Sequence, residues 1–276
     1  MGPELPSRED AGAFLHRRFG ETASFEVTPG ADGAVVRFVQ AGKDGQLILV
    51  PYTARLERVE ESGELTGEDE AAARQLAEVL AALHREKVFE PEMYRKKLRR
   101  DLDDMLASLD ELTRHEELTE DESSEMAVKA ARWWGRLRLH PGRLAPAWEG
   151  DYCSGIWACG PDVILKTGHP ASGEPARDVA SACFMFIERA VASLGRFDGP
   201  FRHLFLAFFG RYLEASSDTE LLRVLPFHIA ARALRAANDI IAKDDAGPRK
   251  RRYIDLAWNC LEQDEFRVED LPDLLR

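Results

Sequence analysis

The sequence has few cysteines, no long apolar run and no excess of positive charge, and each absence excludes a class of protein. Only four cysteines occur among 276 residues, a pattern typical of reduced thiols in a cytosolic protein and not of a disulfide framework. No stretch approaches the ~18 apolar residues of a transmembrane helix, and the first 20 residues do not have the pattern of a secretory signal. We therefore expect a cytoplasmic protein with no membrane partner.

The charge balance is acidic, with 49 Asp and Glu against 37 Lys and Arg and a formal net charge of −12 at pH 7. Such a surface repels a phosphate backbone, so we expect no nucleic-acid partner. Two basic runs, 94–100 and 249–252, are exceptions to the acidic pattern. Asp101, Asp103 and Asp104 follow the first run and can pair with it on a helix. The second suggests an anionic contact, but an ordinary solvent-exposed face is the favoured interpretation of both.

Several motifs that carry chemistry are also missing. The sequence contains no G-x-x-x-x-G-K-[ST] loop, no G-x-G-x-x-G before a helix and no G-x-S-x-G elbow. Cys153, Cys159 and His169 do not have the spacing of a zinc site, so we expect no metal there. His84 and His228 lie inside apolar helical patterns, which favours hydrogen-bonded histidines of buried helix faces over catalytic ones.

The N-terminal part combines one helix with a few strands. An amphipathic pattern predicts a helix over residues 9–19, and β-rich runs predict strands at 25–27, 34–41 and 46–52. Residues 42–45 contain Asp-Gly between two of these runs, which predicts a hairpin turn.

The rest of the chain has the pattern of helices, interrupted once. Helices are predicted over 71–84, 92–114 and 119–137 and again from residue 176 to the end, with capping boxes at Thr66–Asp69 and Thr119–Glu122. Between them, residues 141–175 are rich in Gly and Pro. This density predicts loops, interrupted only by a short apolar run at 162–165, and such loops often carry functional residues.

Three segments, in this order, resemble a known family. Ala71–His84 ends in L-A-E-V-L-A-A-L-H and is similar to the family's LA..LA.LH helix. Glu149–Trp157, E-G-D-Y-C-S-G-I-W, is similar to the catalytic-loop pattern H-G-D-x-H-x-x-N, and Pro175–Ala182 is similar to the helix start P..DLA. Together they resemble the aminoglycoside phosphotransferase and choline kinase-like family. The likeness extends from near Ala54 to Lys243.

The resemblance implies an α+β, protein-kinase-like fold. We expect a reduced N-terminal β lobe at residues 1–55 and a large, mainly helical C-terminal lobe at 56–276. The segment 141–175 would contain the catalytic loop.

The resemblance assigns roles to individual positions, and several of them have changed. Asp151 stands at the catalytic base and is retained, whereas Glu149 and Cys153 replace the two histidines of the pattern. Ile156 replaces the metal-binding Asn and offers no oxygen to a hard cation. Lys166 stands where the next metal-binding Asp belongs and reverses the sign of the charge.

Other positions follow from the same comparison. Trp157 and Asp178 are expected to line the cleft together with Cys153, Ile156 and Lys166. The resemblance places Val50 at the position of the lysine that contacts ATP phosphates in the family.

These changes predict a degenerate member, a pseudokinase that binds a partner protein or a small ligand and needs no metal or cofactor. The alternative is an active ATP-dependent phosphotransferase for a cationic amine or aminoglycoside, with Asp151 as base and Asp162 or Asp178 holding Mg²⁺. A third possibility is other chemistry at the carboxylate pair Glu149 and Asp151 beside Cys153.

Overall fold

A computed structural model describes residues 6–19, 24–30, 33–40, 43–147, 155–165, 171–242 and 248–275. The helices and strands in these ranges are, in chain order, α1 (Arg8–Phe19), β1 (Ser24–Pro29), β2 (Ala34–Gln40), β3 (Lys43–Pro51), α2 (Tyr52–Ser62), α3 (Gly67–Leu83), α4 (Pro91–Arg114), α5 (Glu120–Leu137), β4 (Ala145–Ala147), β5 (Ile156–Cys159), β6 (Asp162–Leu165), β7 (Ala171–Gly173), α6 (Pro175–Leu194), α7 (Gly199–Ser216), α8 (Leu221–Ala242), α9 (Arg249–Glu262) and α10 (Leu271–Leu274).

Both predicted capping boxes are confirmed, and each sets the start of a helix. The Asp69 amide donates to the Thr66 hydroxyl at 3.3 Å, and the Thr66 amide donates to the Asp69 carboxylate at 2.8 Å. Thr119 and Glu122 exchange the same two bonds, at 3.2 and 2.9 Å. These bonds satisfy amides that the first helical turn leaves without a partner, so α3 begins at Gly67, directly after the predicted capping residue Thr66.

The described strands form a five-stranded antiparallel sheet in the order β1-β2-β3-β5-β6 and a separate two-stranded ladder of β4 and β7. Gln40 pairs with Lys43, so the β2–β3 hairpin is tighter than the predicted turn at 42–45. Val50 pairs with Ala158, which joins the late hairpin β5–β6 to the N-terminal strands. The prediction of loops across 141–175 was wrong for β4, β5 and β7, whereas β6 coincides with the short apolar run at 162–165.

Two hydrophobic cores result. The smaller one lies between α1 and the sheet, with Phe14 and Leu15 of α1 packed beside Val36 and Leu49. The larger one fills the space among α2 to α10. Among the described helices, none has both the length and the apolar character needed to cross a bilayer. The small sheet and the large helical body agree with the predicted α+β class, and the domain boundary at residue 55 stays a prediction.

Candidate functional site

Two strand ladders pair the residues on either side of segment 148–154 with the residues on either side of segment 166–170. Ala147 at the end of β4 pairs with Ala171 at the start of β7, and Ile156 at the start of β5 pairs with Leu165 at the end of β6. The residues that flank 148–154 are therefore paired with the residues that flank 166–170. The ladders bring together the anchor points of the two segments in which the sequence places most of the candidate site.

Four of the predicted site residues lie outside the described residues: Glu149, Asp151, Cys153 and Lys166. Their roles stay predictions. The strands that flank the two segments are described on both sides and form the framework around these residues.

A buried ion cluster fixes the base of this framework. The Arg143 guanidinium donates to both carboxylate oxygens of Asp218 at 2.8 Å, and its Nε donates to Glu174 at 2.9 Å. Burial alone would lower the pKa of Arg143, but the carboxylates of Glu174 and Asp218 raise it above its usual range. Glu174 also accepts from the Tyr94 hydroxyl and the Ala176 amide, the latter in the first turn of α6. The residues before β4 and after β7 are thereby held together.

Sequence reasoning missed this cluster. A partial signal exists in Glu174, which directly precedes Pro175 and so has the pattern of a helix N-cap. Nothing local relates Arg143 to Asp218, because 75 residues separate them in the sequence.

Ile156 and Trp157 are both fully buried instead of lining an open cleft. Successive side chains of a strand point to opposite faces, so Ile156 enters the large helical core while Trp157 enters the smaller core beside α1. This placement corrects the expectation for both residues. The cause is the strand β5, which a loop-rich interpretation of the segment does not contain.

Asp178 lies between helices and is only 1% exposed, so it does not stand on a cleft wall as expected. His84 Nε2 donates to the Asp178 carboxylate at 3.0 Å, and His84 Nδ1 is 2.8 Å from the Tyr212 hydroxyl. A carboxylate only accepts, so in a neutral ring the Tyr212 hydroxyl donates to Nδ1. These bonds confirm His84 as a hydrogen-bonded core histidine.

Asp162 stands at the tip of the β5–β6 hairpin, opposite Cys159, and forms an ion pair with Arg18 of α1. Three residues separate it from Leu165, roughly 10 Å along a strand. It lies at the end of the hairpin away from the 148–154 and 166–170 anchor points, so its position does not suit a metal there. Within the part of the chain that the structure describes, no group of three His, Cys, Asp or Glu side chains could hold a metal ion.

No family model matches the sequence, and no curated protein matches it. Solved structures do match. Glucosamine kinase in crystal form B superposes with a TM-score of 0.52 at 16% identity, over 94% of this chain and 72% of that chain. Glucosamine kinase in complex with glucosamine, ADP and inorganic phosphate gives the same TM-score and identity, over 92% and 72%. Crystal form A gives 0.50 at 17%, over 95% and 68%.

The chain has the fold of glucosamine kinase. The predicted kinase-like α+β fold, with a small N-terminal sheet and a large helical lobe, is therefore confirmed. Identities this low establish the fold and leave the activity to be argued from the chain's own residues.

Proposed function

We propose that this chain is a kinase-like protein that binds a partner protein or a small ligand and does not catalyse ordinary Mg–ATP phosphotransfer. The observation that carries the proposal is Ile156. At the position where the resembled family has a metal-binding amide, this chain has an aliphatic side chain that is 0% exposed and packed into the helical core.

The physical argument concerns the ligands that Mg²⁺ requires. The ion prefers six oxygen ligands in near-octahedral geometry, and in this fold class acidic and amide side chains hold it against the phosphates. Ile156 has no oxygen, and Lys166 would bring a positive charge to the position of a carboxylate. The two acids considered as substitutes are engaged elsewhere, Asp178 with His84 and Asp162 with Arg18. These replacements support the proposal that the chain does not hold magnesium as that family does.

The test is a calorimetric titration of the full chain with ATP and with ADP, each with and without Mg²⁺. We expect no magnesium-dependent binding at millimolar nucleotide. Micromolar binding that requires Mg²⁺ and is abolished in Asp151→Ala would contradict the proposal. Asp103→Ala is the matched control, because Asp103 is an exposed acid of α4 that pairs with the surface residue Arg99.

An active phosphotransferase is the second candidate, and the shared fold favours it. One of the matching structures holds glucosamine, ADP and inorganic phosphate. The net charge of −12 would attract a cationic amino sugar, and Asp151 would orient the acceptor hydroxyl as base. Release of ADP from Mg–ATP that depends on added glucosamine or an aminoglycoside, and that Asp151→Asn removes, would decide for this activity and against the first proposal.

A further inference from the structure

A cavity of about 660 Å³ lies where the turn between α6 and α7 meets the start of α9 and the end of α10. A space of this size suits a small molecule. Six of its lining residues are charged, four of them arginines and two of them aspartates: Arg196, Arg202, Arg251, Arg252, Asp198 and Asp255. None of them is a position that the family resemblance assigns to catalysis or metal binding. The cavity is therefore basic, on a chain whose net charge is −12.

Two of these arginines have acidic neighbours. Arg251 pairs with Asp255 at 2.9 Å and lies 3.7 Å from Glu122 of α5. Arg196 lies 3.8 Å from Asp198, which is beyond hydrogen-bond distance, and both side chains are largely exposed. Exposed pairs of this kind contribute little to stability, so the guanidinium group of Arg196 is free to turn toward another acceptor.

The other two arginines have no carboxylate partner among the described residues. Arg202 is an exposed residue of α7 and forms no ion pair with any of them. Arg252 is partly buried close to Gly195, and its Nη1 is enclosed by protein. Because an enclosed atom cannot reach a ligand, Arg252 contributes positive charge to the cavity and not a hydrogen bond from that nitrogen. The lining thus has two more arginines than acids.

The start of α9 adds to this positive charge. Pro248 occupies the N-cap position, no side chain caps the helix there, and the first turn contains no acid. The amides of a first helical turn lack partners within the helix and carry a partial positive charge. Pro248 and Arg251 both line the cavity, so this end of the helix borders it. Cations are unfavourable at such a position, and a bound anion would offset their repulsion.

The base of the cavity is apolar. Phe197 and Leu275 are 4% and 5% exposed and belong to the large helical core, and both line the cavity. The side chains of Arg196 and Arg251, in contrast, are 75% and 57% exposed. The cavity therefore combines a base of buried apolar side chains with a rim of exposed guanidinium groups. This arrangement matches a ligand that has an apolar body and one anionic group.

We propose that this cavity binds a small organic phosphate monoester, with its phosphate on Arg196 and Arg202 and its apolar part on Phe197 and Leu275. Guanidinium groups match the spacing of two phosphate oxygens and form two parallel hydrogen bonds with them. A phosphate monoester carries a charge of about −1.5 to −2 at pH 7, which balances the excess of two arginines in the lining. The inference goes beyond the function proposed above and does not depend on it.

The test is a calorimetric titration of the full chain, without Mg²⁺, with phenyl phosphate, inorganic phosphate and benzyl alcohol in turn. We expect one site for phenyl phosphate, weaker binding of inorganic phosphate and no binding of the uncharged alcohol. Arg202→Gln should lower the affinity for phenyl phosphate about tenfold or more. Arg223→Gln is the matched control, since Arg223 is an exposed arginine of α8 outside the cavity lining. Absence of phenyl phosphate binding at millimolar concentration, or an equal loss in both variants, would overturn the proposal.

A second measurement locates the ligand on the unaltered protein and does not depend on a variant folding. Phenylglyoxal modifies accessible guanidinium groups, and mass spectrometry of the digested protein reports the extent at each arginine. Phenyl phosphate should slow the modification of Arg196 and Arg202 and leave that of Arg223 unchanged. Binding that protects neither Arg196 nor Arg202, or protects Arg223 to the same extent, would place the ligand elsewhere and overturn the proposal. The function proposed above is tested separately, by magnesium-dependent nucleotide binding and Asp151→Ala, so either proposal can fail alone.

Discussion

Two histidines of the helical lobe are buried equally, each 3% exposed, and yet their surroundings differ completely. His84 reaches Asp178 and Tyr212 with its two ring nitrogens. His228 Nε2, in contrast, is buried and has no hydrogen-bond partner among the described residues. The sequence predicts the same role for both, and only His84 fulfils it, because hydrogen-bond partners come from other helices and not from the local pattern. Burial alone therefore does not show whether a polar group is hydrogen-bonded.

Two arginines extend the comparison. Arg143 is 5% exposed and donates hydrogen bonds from three nitrogens to two carboxylates. Arg232, in contrast, has a buried Nη1 with no hydrogen-bond partner among the described residues. Its guanidinium lies 4.9 Å from the centre of the Phe184 ring. We expect the saturated groups to stabilise the fold and the unsaturated ones to contribute little. Variants of both kinds of group test this difference.

The largest effect is expected at the saturated arginine. Arg143→Met leaves the carboxylates of Glu174 and Asp218 buried without their cation, which should lower the free energy of unfolding by about 3–5 kcal/mol. Arg232→Met removes a cation–π contact together with an unsatisfied donor, so its effect should stay within about 1 kcal/mol. Urea unfolding of both variants gives the measurement. Equal losses would remove the distinction between the two arginines.

The next-largest effect is a dependence of protein stability on pH that comes from Asp101. Burial raises the pKa of Asp101 to about 6 from its ordinary value near 3.8, against the opposing effect of Arg177. The folded protein then holds the proton more tightly than the unfolded chain, so stability should fall as the pH rises from about 4 to about 6. The full effect is at most about 3 kcal/mol, from about 1.4 kcal/mol for each unit of pKa difference.

Neighbouring charges make a control necessary for that measurement. Asp101 is faced by Lys97 and Asp104 of its own helix and by Glu174 and Arg177 from the start of α6. His228 acts in the opposite direction, because its lowered pKa removes stability as the pH falls below about 6.5. Thermal unfolding of the unaltered chain and of Asp101→Asn should therefore be measured across pH 4–7. The expected signal is a difference in stability between the two proteins that changes with pH. A difference that does not change with pH would contradict the assignment to Asp101.

The smallest effect separates two tyrosines that are each 1% exposed. Tyr212→Phe removes the hydroxyl that bonds to His84 and should cost about 1–3 kcal/mol, because the ring nitrogen stays buried without a partner. Tyr52→Phe removes a buried hydroxyl that has no partner and should be neutral or stabilising. Chemical denaturation of the pair measures the contrast. A larger loss at Tyr52 than at Tyr212 would contradict it.

The sequence predicts the helices well because their signals are local. The capping residues Thr66 and Thr119 and the spacing of buried residues such as Leu76 and Leu80 lie within a few turns of the helices that they specify. The small N-terminal strands and the order of the elements, which carries the family resemblance, were also within reach. The fold class was therefore predictable before any coordinates.

The candidate site was less accessible, because its framework depends on distant pairings. The strands β5 and β6 have four residues each, too few to establish a period, and β5 joins the sheet by pairing with β3, which is distant in the sequence. The burial of Ile156 and Trp157 follows from that pairing. One cavity is lined by Asp101, Arg177 and His228, which come from three different helices. Nothing within any one of those helices indicates that these residues meet.

The strand β5 has a mechanical consequence. Ile156 belongs to the large core and Trp157, the next residue, belongs to the small one, so a single peptide bond connects the interiors of both. The sheet with α1 cannot pull away from the helical body without withdrawing an indole or a branched aliphatic side chain from its packing. Loss of either core should therefore propagate to the other, and the described parts of the chain should melt in one transition, not as a loose cap followed by a stable base.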